Sequence, residues 1–236
     1  MPASDLVPRP GSGRVFEARR RVRLSDTDRH GRLRLDAVAR YLQDVASDDV
    51  DDAGWSSDDH VWVVRRTVVD VVEPLVGDTR VELATWCSGV SSAAAARRTT
   101  LRGDRGGRIE TETAWIHLDR RLRPARFDER FLALYAEAAG GRRVSTRLEL
   151  PPPSPEAVRR EWPLRAADVD LLGHVNNAAY WQAVEELLPV GGPLRAVLEY
   201  RSQLDLGDPV ELAHADGALW FVVDGAVRAA AAVEAQ

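Results

Sequence analysis

The sequence predicts an α+β fold that repeats one unit twice, each unit a helix wrapped by a curved antiparallel sheet. Three observations carry that expectation. The pattern D-x-D-x-x-G occurs at Asp26, Asp28 and Gly31 and again at Asp168, Asp170 and Gly173, each member displaced by 168 − 26 = 142 residues. Each copy then runs into apolar residues at helical spacing: Leu35, Val38, Ala39, Leu42 and Val45 in the first, Ala179, Ala183, Val184 and Leu187 in the second. Strand-like alternation interrupted by Gly-Asp follows each helix.

Taken in order, "VVRRTVVDVVEPLVGDTRVELATW" reads as two strands meeting at a turn around Gly77, and "LRAVLEYRSQLDLGDPVELAHA" as two meeting around Gly207. "AAARRTTLRG" and "ETETAWIHLD" are joined through Gly103 to Gly107, and "ALWFVVDG" and "AVRAAAAVEA" through Asp224-Gly225. "RFDERFLALYAEAA", from Arg126, predicts an additional helix, and Pro151 to Pro155 form a stiff linker. The expected division is 14–124 for the first unit, 125–157 for the helix and linker, and 158–236 for the second unit. One apolar helix against one strongly bent sheet is the hotdog arrangement, and two in one chain make a tandem (double) hotdog.

Composition narrows the function. The 236 residues are 44% hydrophobic and 29% charged, the profile of a soluble globular chain of one large or two small domains. A formal net charge of −5 argues against general affinity for nucleic acid. All 32 basic side chains are Arg, which with the Ala and Val excess points to high-GC bacterial coding rather than a physical demand. "MPASDLVPRPGSGRV" has no apolar run, and no stretch of about 18 apolar residues occurs, so neither a signal peptide nor a membrane span is expected. The single Cys87 cannot form an internal disulfide and fits a reducing cytoplasm; in "ELATWCSG" it reads as a small buried hydrophobe. Cys/His metal spacings and glycine-rich phosphate loops are absent.

The stretch "DVDLLGHVNNAAY" resembles the D-x-D-x-x-G-H-V-N-N-x-x-Y motif of the acyl-acyl carrier protein (acyl-ACP) thioesterases of plants and bacteria. "VWVVRRTVVDV", "VGDTRVELATW", "TAWIHLDRRLRPAR" and "LEYRSQLDLGD" are similar to successive strands of that family, in order, so the likeness runs from about Val15 to near Ala230. The resemblance implies hydrolysis of fatty acyl-ACP to free fatty acid without metal or redox cofactor. The implied partner is an acyl carrier protein bearing the chain on a phosphopantetheine arm. It places the family's essential Asp on Asp170 and its His on His174. Two positions depart: the family's Asn is Leu172 here, and its acidic residue in the last-but-one strand group is Gln203, followed by Leu204 where plant members have Cys. That rules out a Cys-based mechanism at this place.

Thioester hydrolysis needs a nucleophilic water or carboxylate and a holder for negative charge on the carbonyl oxygen. Helix starts present unpaired N–H groups, and the helix here begins near Asn176 or Asn177. An oxyanion hole is therefore expected from the backbone of Gly173 to Val175, aided by His174. Asp170 is expected to activate water or attack, a carboxylate beside an apolar pocket being desolvated and more basic. The catalytic candidates are thus Asp170, His174 and Gln203, and the substrate contacts Leu172, Gly173, Val175, Asn176 and Asn177.

The first copy carries Arg32, Leu33 and Arg34 in place of His174, Val175 and Asn176, so it is expected to supply wall and pocket only. His30 sits one residue before Gly31 where His174 sits one after Gly173, and reads as a solvated loop residue. His60 and His117 lack partner spacing, His214 reads as part of an exposed strand, and Trp62, Trp86, Trp115, Trp181 and Trp220 are expected in the core. Paired arginines at 65–66, 97–98, 120–121, 142–143 and 159–160 offer a basic surface for an acidic carrier. The spacing of hotdog hydratases is not found. An acyl-CoA thioesterase and a non-catalytic acyl-thioester-binding hotdog remain open alternatives, and a homodimer is compatible with the sequence.

Overall fold

The computed structural model describes residues 6–55 and 60–236. In the first half the strands are β1 (Val15–Arg21), β2 (His60–Glu73), β3 (Arg80–Val90), β4 (Ala94–Gly103) and β5 (Arg108–Asp119). In the second they are β6 (Val158–Glu161), β7 (Leu194–Tyr200), β8 (Glu211–Ala215), β9 (Ala218–Val223) and β10 (Ala226–Ala235). The helices are α1 (Leu35–Asp52), α2 (Glu129–Ala139) and α3 (Asn177–Leu187). Among the described residues, the strands form one antiparallel sheet in the order β1-β3-β4-β5-β2-β7-β10-β9-β8-β6. Read inward from its two ends, that order is the same topology twice. The two hotdog sheets fuse through β2 and β7, where Val68 faces Val197, so neither central strand presents an unpaired edge. The second copy reaches its sheet through a shorter helix: α1 has 18 residues and α3 has 11.

The turns at Gly77 and Gly207 differ from their sequence reading. β2 and β3 are separated in the sheet by β5 and β4, and β7 and β8 by β10 and β9, so neither turn closes a hairpin. Gly-Asp marks a change of direction, but pairing is decided by which edges are free, and β2 is covered by β5 on one side and β7 on the other. The segments after β2 and β7 therefore cross the helix starts, making isolated bridges Arg32↔Val76 and His174↔Asp205. These crossings create the site.

The core follows the predicted periodicity. Leu35, Val38, Ala39, Leu42 and Val45 of α1 and Ala179, Ala183 and Val184 of α3 are buried in one cluster with Leu83, Leu101, Ile109, Leu198 and Phe221 of the sheet; Leu187 is partly buried against it. α2 packs on the first half, setting Phe131, Tyr135 and Ala139 against Trp55, Cys87 and Ala95. Asp128 caps its start by accepting from Phe131 N at 2.7 Å, and Gly140 ends it in the left-handed region at φ 55°. The linker is tied to the second half: Trp220 Nε1 donates to Pro151 O at 2.7 Å, and the Glu199 carboxylate accepts from Glu149 N and Leu150 N at 2.7 and 3.1 Å. Trp86, Trp181 and Trp220 are buried, whereas Trp62 and Trp115 are half-buried, packing against the core on one side and lining a cavity on the other.

Candidate active site

Both copies of D-x-D-x-x-G build the same turn. The first acid caps a single 3₁₀ turn: Asp26 accepts from Arg23 N at 3.0 Å and Asp168 from Arg165 N at 2.9 Å. The second acid closes a tight loop, with Asp28 N donating to Arg32 O at 2.8 Å and Asp170 N to His174 O at 2.9 Å. Gly31 and Gly173 sit at φ 78° and 81°, where a side chain would be strained, and each donates to the carbonyl of the second acid at 3.0 Å. Asp168 is buried. Burial alone would raise its carboxyl, but hydrogen bonds and charge from Arg165 hold it below the usual range. It shapes the turn.

The copies diverge at the second acid. Asp28 Oδ1 accepts from His30 N at 2.8 Å and Arg32 N at 2.9 Å, while Oδ2 accepts from the Arg32 guanidinium at 2.9 and 2.7 Å. Burial pushes the Asp28 carboxyl up, but its bonds with Arg32 outweigh this and hold it low. Asp170 Oδ1 accepts only from Leu172 N, at 2.9 Å, and among the described residues no cation pairs with this carboxylate. The residue four places on is now His174, whose Nδ1 lies 2.6 Å from Asp205 Oδ1. Strand pairing explains that contact. Val175 N donates to Leu204 O at 2.9 Å, so His174 and Asp205 form a non-hydrogen-bonded antiparallel pair, the kind that brings side chains closest. In the first half Arg32 faces Val76 instead, and 205 − 76 = 129, fewer than the 142 that separate Arg32 from His174. Gln203 Nε2 is 3.5 Å from both Asp205 oxygens, too long for a strong bond.

A cleft of about 540 Å³ opens over this turn, between the two halves. Asp170, Leu172, His174, Val175, Asn177 and Gln203 line it, together with Asp205, Tyr180 and Tyr200; the first half contributes Trp62, Val64 and Ile116. Of the eight residues expected from the sequence, Gly173 and Asn176 are absent from its walls. Gly173 is exposed, and Asn176 caps α3 by accepting from Ala178 N at 2.8 Å. Two of the three expected oxyanion donors are taken, leaving His174 N. Gly173 N is bonded to Asp170 O and Val175 N to Leu204 O, because the turn closes on itself and on the crossing strand. The first residue of α3, Asn177, has an N–H with no acceptor inside the helix and lines the cleft. Asp205 was not anticipated. Its signal was present in the repeat, since "LDLGD" carries an acid where "LVGD" has none.

Trp62 also borders a second, mainly apolar cavity of about 330 Å³ in the first half, lined by Ala46, Val50, Trp55, Trp115 and Phe131. At the first turn a depression of about 690 Å³ lies over Asp28 and Arg32, lined also by Arg29, His30, Arg34, Glu185 and Glu186, with an inner void of about 20 Å³ bounded by Asp28, Arg32, Leu35 and Glu185. There Glu185 Oε1 accepts from Leu35 N at 2.8 Å, capping α1 from the other half, and burial pushes its carboxyl up to about 7.

The remaining candidates are structural. Cys87 is buried, its thiol pushed up to about 11 by burial. His117 is buried, with Nδ1 2.9 Å from Ala125 O and its ring against Trp62 and Phe127; His30 is exposed, and the side chain of His60 lies outside the described residues. Among the described residues no group of three or more His, Cys, Asp or Glu is arranged to hold a metal ion, and no helix is long and apolar enough to cross a membrane.

The chain matches the sequence profile of the acyl-ACP thioesterase N-terminal domain over residues 13–135 and that of the acyl-ACP thioesterase C-terminal domain over residues 153–225. An uncharacterized protein of Mycobacterium tuberculosis is 38% identical over 235 residues, covering 96% of this chain and 94% of its own length. Among solved structures, an acyl-ACP thioesterase from Bacteroides thetaiotaomicron superposes with a TM-score of 0.76 at 18% identity, over 93% of this chain and 98% of that one. The 12:0-ACP thioesterase from Umbellularia californica gives 0.77 at 19%, over 93% and 96%. At those identities the structures establish the tandem hotdog fold, and the two profiles, matched in order along the chain, establish more: this chain belongs to the acyl-ACP thioesterase family of thiolester hydrolases.

Proposed function

We propose that this chain hydrolyses fatty acyl-ACP in the cleft between its halves, with Asp170 as base and His174 as proton carrier. The observation that carries this reading is the contrast between the two turns: the acid bound to arginine in the first copy is unpaired in the second and opens onto a cleft. The Asp170 oxygen not held by Leu172 accepts the proton of the attacking water. The Asn177 N–H and carboxamide, at the positive end of α3, face the developing oxyanion. Asp205 holds the His174 ring by Nδ1, leaving Nε2 toward the cleft to pass a proton to the departing sulfur. Gln203 lies at the edge of this set and supports Asp205.

The acyl chain runs past Trp62 into the apolar cavity of the first half, which gives that half its role. The proposed division remains 14–124, 125–157 and 158–236, with α2 closing the acyl cavity. One chain supplies both walls of the cleft, so the site needs no second copy, and a single buried thiol suits the reducing cytoplasm. The test is release of free thiol from acyl-ACP by the purified protein. Turnover lost in Asp170→Asn supports the proposal, whereas binding without turnover in the unaltered protein would make this an acyl-thioester-binding hotdog instead.

A further inference from the structure

The cleft has a basic wall that the chemistry above does not use. Arg65, Arg201 and Arg228 line it with Ser202. They are knotted together by the backbone: Arg65 donates to Tyr200 O at 2.9 Å and Arg201 O at 3.3 Å, Arg201 N donates to Arg228 O at 2.8 Å, and Arg228 donates to Ser202 Oγ at 3.2 Å. Two of them sit on sheet irregularities. Arg65 is the extra residue between the pairs Val64↔Trp115 and Arg66↔Ala114, and Arg228 between Val227↔Val222 and Ala229↔Phe221. Bulges of this kind bend a strand and redirect its side chains, and here both point arginines at one opening.

Charge separates these residues from the arginines that are tied into ion pairs. Arg14, Arg32, Arg97, Arg98 and Arg165 each pair with a carboxylate within 2.6 to 2.8 Å. Among the described residues Arg65, Arg201 and Arg228 have no carboxylate within ion-pair distance, although Asp170, Asp205 and Asp208 line the opposite wall. Asp205 is engaged with His174, and Asp208 accepts from Asp205 N at 2.9 Å. Arg228 Nε is shielded from water and has no acceptor at all. Burial lowers the Arg65 guanidinium, Glu199 offsets part of this, and the charge of Arg201 adds to it. Arg201 spends one N–H on Leu150 O at 2.7 Å and Arg65 Nε lies 3.4 Å from Thr146 O, so positive charge is concentrated on one side of the opening with part of each guanidinium left over. Guanidinium forks match phosphate oxygens two at a time, which makes such a cluster a phosphate seat.

We propose that Arg65, Arg201 and Arg228 seat the phosphate of the pantetheine arm that delivers the thioester, holding it at the rim while the acyl group reaches Asp170. This rests on the thioesterase reading above. The phosphate belongs either to a carrier protein's arm or to CoA, and the substrates of the test separate the two.

The test compares the unaltered protein with Arg201→Gln and Arg228→Gln on three thioesters of one acyl chain: acyl-ACP, acyl-CoA and the phosphate-free acyl-pantetheine. Loss of a charge-assisted bond predicts that the ratio of kcat/KM for acyl-ACP over acyl-pantetheine falls about tenfold or more in each variant, through KM. A parallel fall for acyl-CoA assigns the seat to phosphate from either source; a fall for acyl-ACP alone would assign the arginines to the acidic surface of the carrier and overturn the proposal. An equal loss on all three thioesters would make them shapers of the cleft, and no loss would remove them from recognition, either of which overturns it as well. If the protein cleaves no thioester, the thioesterase reading fails separately, and calorimetric titration with phosphopantetheine still decides: binding weakened in both variants but retained in Asp170→Asn supports the seat, and binding indifferent to the arginines ends it.

Discussion

In the first turn Asp28 is held by the arginine four residues on; in the second that position is a histidine, and it turns away to an acid on a crossing strand. The scaffold hardly differs. Both turns have the same capped 3₁₀ start, the same left-handed glycine and the same bond closing the loop. What differs is where the charges go. The Arg32–Asp28 pair neutralises its acid within the turn, beneath a depression of about 690 Å³ whose lining includes Arg29, Arg34 and Glu185. The His174–Asp205 pair leaves Asp170 without a cation, beneath a cleft of about 540 Å³. The two copies keep one backbone and differ in whether the second acid is neutralised inside its own turn.

The largest expected effect tests that contrast directly. Asp170→Asn is nearly isosteric, and loss of the base should lower kcat on acyl-ACP on the order of a thousandfold. Asp28→Asn, removing a partly buried ion pair, should cost about 1 kcal/mol of stability and leave turnover within about threefold. Steady-state kinetics with denaturant melts measure both, and equal losses of turnover would assign chemistry to the wrong half.

Next is Asp205→Ala, which frees the His174 ring and should lower kcat on the order of a hundredfold with little change in KM. Gln203→Ala, removing a contact of 3.5 Å, should change kcat by about threefold or less. A kcat loss from Gln203→Ala larger than that from Asp205→Ala would break the assignment of Asp205 as the partner of His174.

Glu185 sharpens the comparison from the silent side. Its folded carboxyl titrates near 7, above the ordinary 4.5 of a glutamate, so between those values the folded state binds more protons than the unfolded one. Stability contributed by the protonated group is present below about 4.5 and is lost as the pH rises through 7. Glu185→Gln should flatten that slope, a change of about 2 kcal/mol between the two pH values after allowing for partial exposure. Urea midpoints measured across the range give the slope, and an unaltered slope would remove Glu185 from this role.

The smallest effect concerns Leu172. Its side chain lies at the cleft but is 65% exposed, so an amide there is not buried unpaired. Leu172→Asn should raise kcat up to about tenfold by holding the attacking water, with KM little changed. An unchanged kcat with a higher KM would make Leu172 a wall of the acyl path instead.

The repeated turns, the helices behind them and the strands were readable in the chain because each rests on short-range rules: a left-handed position that needs glycine, an acid that caps its own turn, a period of two or of 3.6. Asp170 and His174 were readable for the same reason, lying in one loop beside a helix start. What tertiary structure decided is everything that depends on which distant strands meet. The turns at Gly77 and Gly207 became crossings because β2 and β7 took each other as neighbours, and that crossing, not sequence spacing, set Asp205 against His174 across 31 residues. It also bonded Val175 N to the crossing strand, while the closed turn took Gly173 N, leaving His174 N as the one expected donor not spent on the backbone. Hydrogen-bond donors are satisfied by whatever lies closest in space, and only the closed sheet determines what that is.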